Sequence, residues 1–160
     1  MTASMWKLPP KAKLYEALSA VADGRVQTEE PGRATVRSSV GDKVYSVRWS
    51  SDGRSFSSND NASFWQGYIG YPIIAVLLVV GRLPYNPEFG NWLRGVQWKV
   101  LNEKHRRDYD KAVEEVLQMI QVNGRSPDAL IGYVNALYGD LAALNLERAR
   151  SSKTPPKGHK

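Results

Sequence analysis

The stretch ATVRSSVGDKVYSVRW, residues 34–49, alternates apolar and polar side chains on both sides of Gly41-Asp42. That is the pattern of an antiparallel hairpin, in which successive side chains face opposite sides of a sheet. A two-residue turn at Gly41-Asp42 pairs Ser38 with Tyr45, Val36 with Val47 and Ala34 with Trp49 on one face. It leaves Arg37 opposite Ser46 and Thr35 opposite Arg48 on the other, so one face is apolar and the other wet. Upstream, Pro31-Gly32 marks a preceding hairpin. A two-residue turn there fails, because it sets Gln27 opposite Val36. A three-residue loop, Pro31-Gly32-Arg33, restores Thr28 opposite Val36 and Val26 opposite Ser38, with an associated bulge. Downstream, Ser51-Asp52-Gly53 turns the chain into a fourth strand at about Arg54 to Ser57.

Outside this meander the period changes to that of helices. Leu14, Ala17, Leu18 and Val21 share one helical face within Pro10 to Ala22, and Gly24 stands where a left-handed cap belongs. After the strands, helices are expected from Trp65 or Ile69 to Val80, near Glu88 to Arg94, from about Val96 to Val122, and from Pro127 to about Arg150. Ser126-Pro127 supplies a cap and a first-turn proline for the last of these. In it Leu130, Val134, Leu137, Leu141 and Leu144 form a seam for another helix. The reading is an α+β fold: an N-terminal helix, a three- to four-stranded antiparallel meander, then a C-terminal bundle of three to four helices. One domain spans residues 1–150, with the meander and apolar helix at 25–83 and the helical part at 84–150. Residues 151–160 read as a disordered basic tail.

The 160 residues are 42% hydrophobic and include 5 Trp and 8 Tyr, enough for a packed core. With no Cys, disulfides, thiol nucleophiles and Cys-liganded zinc are excluded, and no cofactor or metal is expected. Residues Met1 to Pro10 lack the apolar core of a signal peptide, so the default location is cytoplasmic. The apolar run from Ile69 to Val80 falls short of the ~20 residues that span a bilayer, which leaves it as a core helix. The net charge of +6 is carried mainly by residues 147–160, where five basic residues stand against Glu147 alone.

Basic residues also mark the candidate binding surface. On the register above, Arg25, Arg37 and Arg48 project from the outer face of the meander with Gln27, Thr35, Ser39 and Ser46, and Glu29 is the acidic exception. Such a face can hold a phosphate backbone, assisted by Lys153 and Lys157 of the tail, although alternation alone also yields a polar outer face. The run Lys104-His105-Arg106-Arg107 looks like a second patch. Opposite charges four residues away, such as Glu103 and Arg107 or Lys104 and Asp108, read instead as a self-neutralised helix face. His105 falls on the apolar stripe of that helix, where a partly buried structural role is the simpler reading. The loop Ser57 to Pro72 concentrates Asn59, Asp60, Asn61, Trp65 and Gln66, whose role, functional or structural, stays open.

The strand pair, that loop, Gly70-Tyr71-Pro72 and the apolar helix Ile73 to Leu78 with Gly81-Arg82-Leu83 together resemble the SWIM zinc-finger family over about residues 43–83. That family places Cys-x-Cys and Cys-x-His ligand pairs around a variable loop. Aligning Gly70-Tyr71-Pro72 puts Asn59 and Asn61 at the first pair and Ile73 and Ala75 at the second; a shift of three residues puts Gly70 and Pro72 there instead. Neither set binds zinc, so the resemblance implies only a scaffold for binding DNA or protein. Convergence on a hairpin-loop-helix unit accounts for the same layout.

Three functional readings follow. One is a non-enzymatic interaction module that binds nucleic acid through the Arg-bearing sheet face and tail. Another is a protein-interaction or assembly subunit, with Leu130 to Leu144 as a homodimer seam and Trp6, Trp65, Trp92, Trp98, Tyr133 and Tyr138 as surplus apolar groups. The third is a small enzyme whose site gathers Asn59, Asp60, Asn61, Gln66 and His105, although no spacing assigns a catalytic residue.

Overall fold

The computed structural model describes residues 4–157, so residues 158–160 of the expected tail, with His159, lie outside the described residues. Helix α1 (Ala12–Ala22) precedes strands β1 (Val26–Thr28), β2 (Arg33–Arg37), β3 (Val44–Trp49) and β4 (Ser55–Ser58), an antiparallel meander in sequence order. A short π-helical turn (Ala62–Gln66) then leads to α2 (Tyr71–Val79), α3 (Pro87–Trp92), α4 (Trp98–Lys104), α5 (Tyr109–Val122) and α6 (Pro127–Ala143). Strand β5 (Glu147–Arg148) closes the sheet parallel to β4. The chain is thus α+β, with helix, sheet and C-terminal helices in the expected order.

The two faces of the meander come out as the alternation predicts, but both hairpins are shifted by two residues. Val36 pairs with Tyr45 and with Val26, not with Val47 and Thr28, and Ala34 pairs with Val47 and Thr28. The first loop keeps three residues, Glu30 to Gly32, because Glu29 N donates to the Arg33 carbonyl. The second has four, Ser39 to Asp42, and α4 explains the extra length. Lys99 N donates to Ser39 Oγ and Lys99 Nζ reaches Asp42 at 2.7 Å, which pins the loop from outside. A shift of two preserves which side chains face inward, so the core survives the change of register.

Helix α2 is buried from Pro72 to Leu78, between α1 and the sheet. Because it is apolar all round, each of its large side chains contributes ~1.5–3 kcal/mol of burial. Among the described residues no helix is long and apolar enough to cross a membrane.

Three expectations for the helical half are corrected. The helix expected over Val96 to Val122 breaks at 105–108, where Arg106 and Arg107 have φ of 52° and 65° and Asp108 caps α5 by accepting from Lys111 N. The i,i+4 ion pairs that assumed a continuous helix are therefore lost. Lys104 and His105 meet Glu115 instead, and Lys99 meets Asp42. Helix α6 ends at Ala143 rather than Arg150, because Asn145 has φ of 48° and Glu147 N turns to the Arg54 carbonyl in the sheet. Finally, Leu130, Val134, Leu137 and Leu141 are buried in the protomer's own core, so the seam suggested for a homodimer is filled internally.

Candidate functional site: an aromatic cleft joined to a basic sheet face

Four tyrosines from four different elements enclose a cleft beside α1. Tyr45 is the last inward side chain at the start of β3, Tyr71 opens α2, Tyr109 opens α5, and Tyr68 lies on the loop between β4 and α2. Two concavities meet there, one of about 420 Å³, and they share Lys13, Tyr45, Asn61, Tyr71, Arg107 and Tyr109. Tyr133 and Tyr138 give their hydroxyl protons to Pro84 O and Pro9 O, whereas the four cleft hydroxyls make no hydrogen bond among the described residues. They are free to meet a ligand.

The floor is a buried ion pair one helical turn apart on α1. Lys13 Nζ lies 3.0 Å from Glu16 Oε2 and 4.3 Å from the centre of the Tyr109 ring. Its approach to Oε2 falls outside hydrogen-bonding angles, so that oxygen has a charge contact and no hydrogen bond. Glu16 Oε1 accepts from Asn102 Nδ2 at 2.8 Å. Burial alone pulls the Lys13 pKa down, but Glu16 and Tyr109 together outweigh it and hold the ammonium above its usual range. Burial, aided by Asp60 and Asp42, pushes Tyr45 up to about 12, and burial raises Tyr71 and Tyr68 as well. These three phenols stay neutral donors and the lysine stays charged.

Arg107 stands exposed on the cleft wall because the helix breaks there. A left-handed backbone costs a non-glycine residue ~1–2 kcal/mol, and Arg106 and Arg107 both bear it. Neither Arg107 nor Lys43, which also lines the cleft, forms an ion pair among the described residues.

The expected sheet face is only partly assembled from the expected residues. Arg25 is consumed by Asp23 at 3.2 Å and by the Arg37 carbonyl at 2.7 Å, and its side chain is 9% exposed. Arg37 and Arg48 are exposed but sit at opposite ends of the face, opposite Val44 and Arg33. Arg33, assigned from sequence to a loop, pairs with Arg48 across β2 and β3. Lys153 reaches Ser46 Oγ at 3.5 Å beside them, while Lys157 is exposed at the end of the described residues. A chain of concavities links this face to the cleft. The one at Arg33, Arg48 and Lys153 shares Thr35 with the one at Arg37, which in turn shares Arg25 with the cleft.

The Asn-Asp-Asn loop divides into structure and surface. Asn59 and Asp60 are buried: Asn59 Oδ1 accepts from Ser46 N, Asn59 Nδ2 donates to Thr154 O, and Asp60 accepts from Ser58 Oγ and Ser63 N. Asn61, Trp65 and Gln66 are exposed and line the cleft, with Trp65 68% accessible. His105 does not join them; its Nε2 faces Glu115 Oε1 at 3.3 Å. The gathering of Asn59, Asp60, Asn61, Gln66 and His105 therefore does not form. Of the alternative zinc-pair positions, Ile73 and Ala75 are core residues, and Gly70 packs so closely on Asp60 and Ser63 that a Cβ has no room. No three His, Asp or Glu side chains are placed to hold a metal among the described residues.

No curated protein and no solved structure matches the chain significantly. A protein family does match, over residues 6–147, which include every cleft residue named above and the sheet arginines but not Lys153 or Lys157. Running through both surfaces, that match makes the chain a member of the family described as Uncharacterised conserved protein UCP014422.

Proposed function

We propose that the protein is a non-enzymatic binding module for single-stranded nucleic acid, with the strand running from the Arg33–Arg48 face into the tyrosine cleft. The observation that carries this reading is the shared wall residues, which join a row of cations, with Arg37, Arg48 and Lys153 free of ion pairs among the described residues, to aromatic rings along one path. Non-specific single-strand binding needs that combination: cations along the backbone and π-faces for the bases. The sheet face alone lacks stacking residues, and the cleft supplies them. Tyr45, Tyr68, Tyr71 and Lys13 are shifted away from neutral pH, which suits hydrogen bonding and charge rather than proton transfer. A SWIM-like scaffold without zinc accords with the same role. The test is a fluorescence titration with single-stranded and duplex oligonucleotides at several salt concentrations. The expected result is preference for the single strand and an affinity that falls linearly on logarithmic axes with salt. Equal affinity for duplex, or binding unchanged by Arg33→Ala with Arg48→Ala, overturns it.

A further inference from the structure

The path has one aromatic end, and its chemistry differs from the rest. On the sheet face the cations Arg33 and Arg48 meet solvent, with no aromatic ring on that side of β2 and β3. In the cleft, phenol rings stand around a concavity of about 420 Å³, within the ~300–1,000 Å³ that suits a small ligand. Deepening the strand reading, we infer that this cleft is an anchor for one phosphorylated nucleotide, its base among Tyr45, Tyr71 and Tyr109 and its phosphate on Arg107.

Arg107 is assigned the phosphate on three grounds. It lines both cleft concavities, it has no carboxylate partner among the described residues, and it occupies a backbone conformation that glycine would accept without strain. Arg106 has the same left-handed backbone but lines neither concavity. The adjacent pair thus separates the cost of the helix break from its use. A guanidinium suits a phosphate because its planar donors meet two oxygens at once. The base finds edges and faces from different directions, since Tyr45 and Tyr71 stand perpendicular at 6.2 Å. Asn61, exposed on the same wall, offers an amide to a base edge.

Calorimetric titration of the full chain with adenosine 5′-monophosphate, adenosine and inorganic phosphate tests the anchor. The nucleotide is expected to bind at least 10-fold more tightly than either part, a difference of about one hydrogen-bonded charge pair. Arg107→Gly should raise Tm by about 2–4 °C through relief of strain and weaken the nucleotide by about 10–100-fold. Arg106→Gly should raise Tm similarly and leave the affinity unchanged. Arg107→Asn, which also tolerates the left-handed region, serves if the glycine variant does not fold. The inference is overturned if the nucleotide binds no better than phosphate, or if either Arg107 variant retains wild-type affinity. Oligonucleotide binding that depends on Arg33 and Arg48, without nucleotide binding, overturns the anchor and leaves the strand path; nucleotide binding without oligonucleotide binding supports the anchor and removes the path.

Discussion

On the outer sheet face Arg33 and Arg48 stand opposite each other across β2 and β3 and meet water, whereas in the cleft Lys13 lies against Glu16 and beneath the Tyr109 ring. The first arrangement needs nothing but alternation along two strands. The second needs α1, α4, α5 and the loop before α2 to arrive together. Charges of the first kind are screened by salt and contribute little to stability, while those of the second are fixed by packing. Changes that unpack the cleft should therefore disturb folding and binding together, and changes at the sheet face should act mainly on binding.

The largest effect is expected where the loop before α2 meets the cleft wall. A Cβ on Gly70 would collide with the Asp60 carboxylate and stand 2.8 Å from Ser63 Oγ, both buried. Gly70→Ala should lower unfolding free energy by about 3 kcal/mol, the upper end for overpacking. Gln27→Ala on the sheet face should stay within about 0.5 kcal/mol. Urea denaturation of the two variants measures the contrast directly, and equal losses would erase it.

Alkaline titration comes next. Tyr45 has its folded pKa pushed up to about 12, so the unfolded chain ionises near 10 while the folded one resists. The stability this tyrosine contributes is complete below pH 10 and is lost as pH rises toward 12, at about 1.4 kcal/mol per unit. Tyr45→Phe should flatten the decline above pH 10 by that amount and change nothing at pH 7 in the same assay. A smaller effect is expected behind the cleft wall formed by Trp98. Ser19 Oγ donates to Leu93 O and accepts from Trp98 Nε1 at 2.7 Å, all within the core. Ser19→Ala leaves the indole N–H unpaired and should cost about 1–3 kcal/mol, read by chemical denaturation.

How far these regions were legible follows from the same contrast. The inward and outward sets of β2 and β3 could be read from Ala34 to Trp49 because parity is a local property. The register could not, since the length of the second loop depends on Lys99 from a distant helix. Likewise Glu103, Lys104, Arg107 and Asp108 spell a continuous charged helix, and nothing local announces that Arg106 and Arg107 leave it. Asp108 as a cap ahead of Lys111 was the available signal, masked by the apolar stripe running through both helices. Arg107 reads, within its basic run, as the i+4 partner of Glu103, an ion pair that the break prevents. The cleft tyrosines share no spacing, because each begins or adjoins a different element, so no periodicity could collect them.

The smallest expected effect is the most informative about the sheet face. Arg33 and Arg48 are like charges directly opposite, with Glu29 across the first hairpin from Arg33 and Glu30 at 3.6 Å, itself 76% exposed. Cross-strand repulsion of this kind costs roughly 0.2–1 kcal/mol, and a solvent-exposed ion pair offsets little of it. Arg48→Thr, which keeps a strand-forming residue, should therefore raise stability by a few tenths of a kcal/mol at low ionic strength. The gain should vanish near 1 M salt, where charges separated by more than ~3 Å are screened. The same variant should weaken single-strand binding and reduce its logarithmic salt slope by about one contact. A variant that loses stability instead would mean that Arg48 is a structural residue of the sheet. Gained stability with reduced binding is what a pair of arginines held together for a phosphate backbone requires, since the exposed Glu29 and Glu30 offset little of their repulsion.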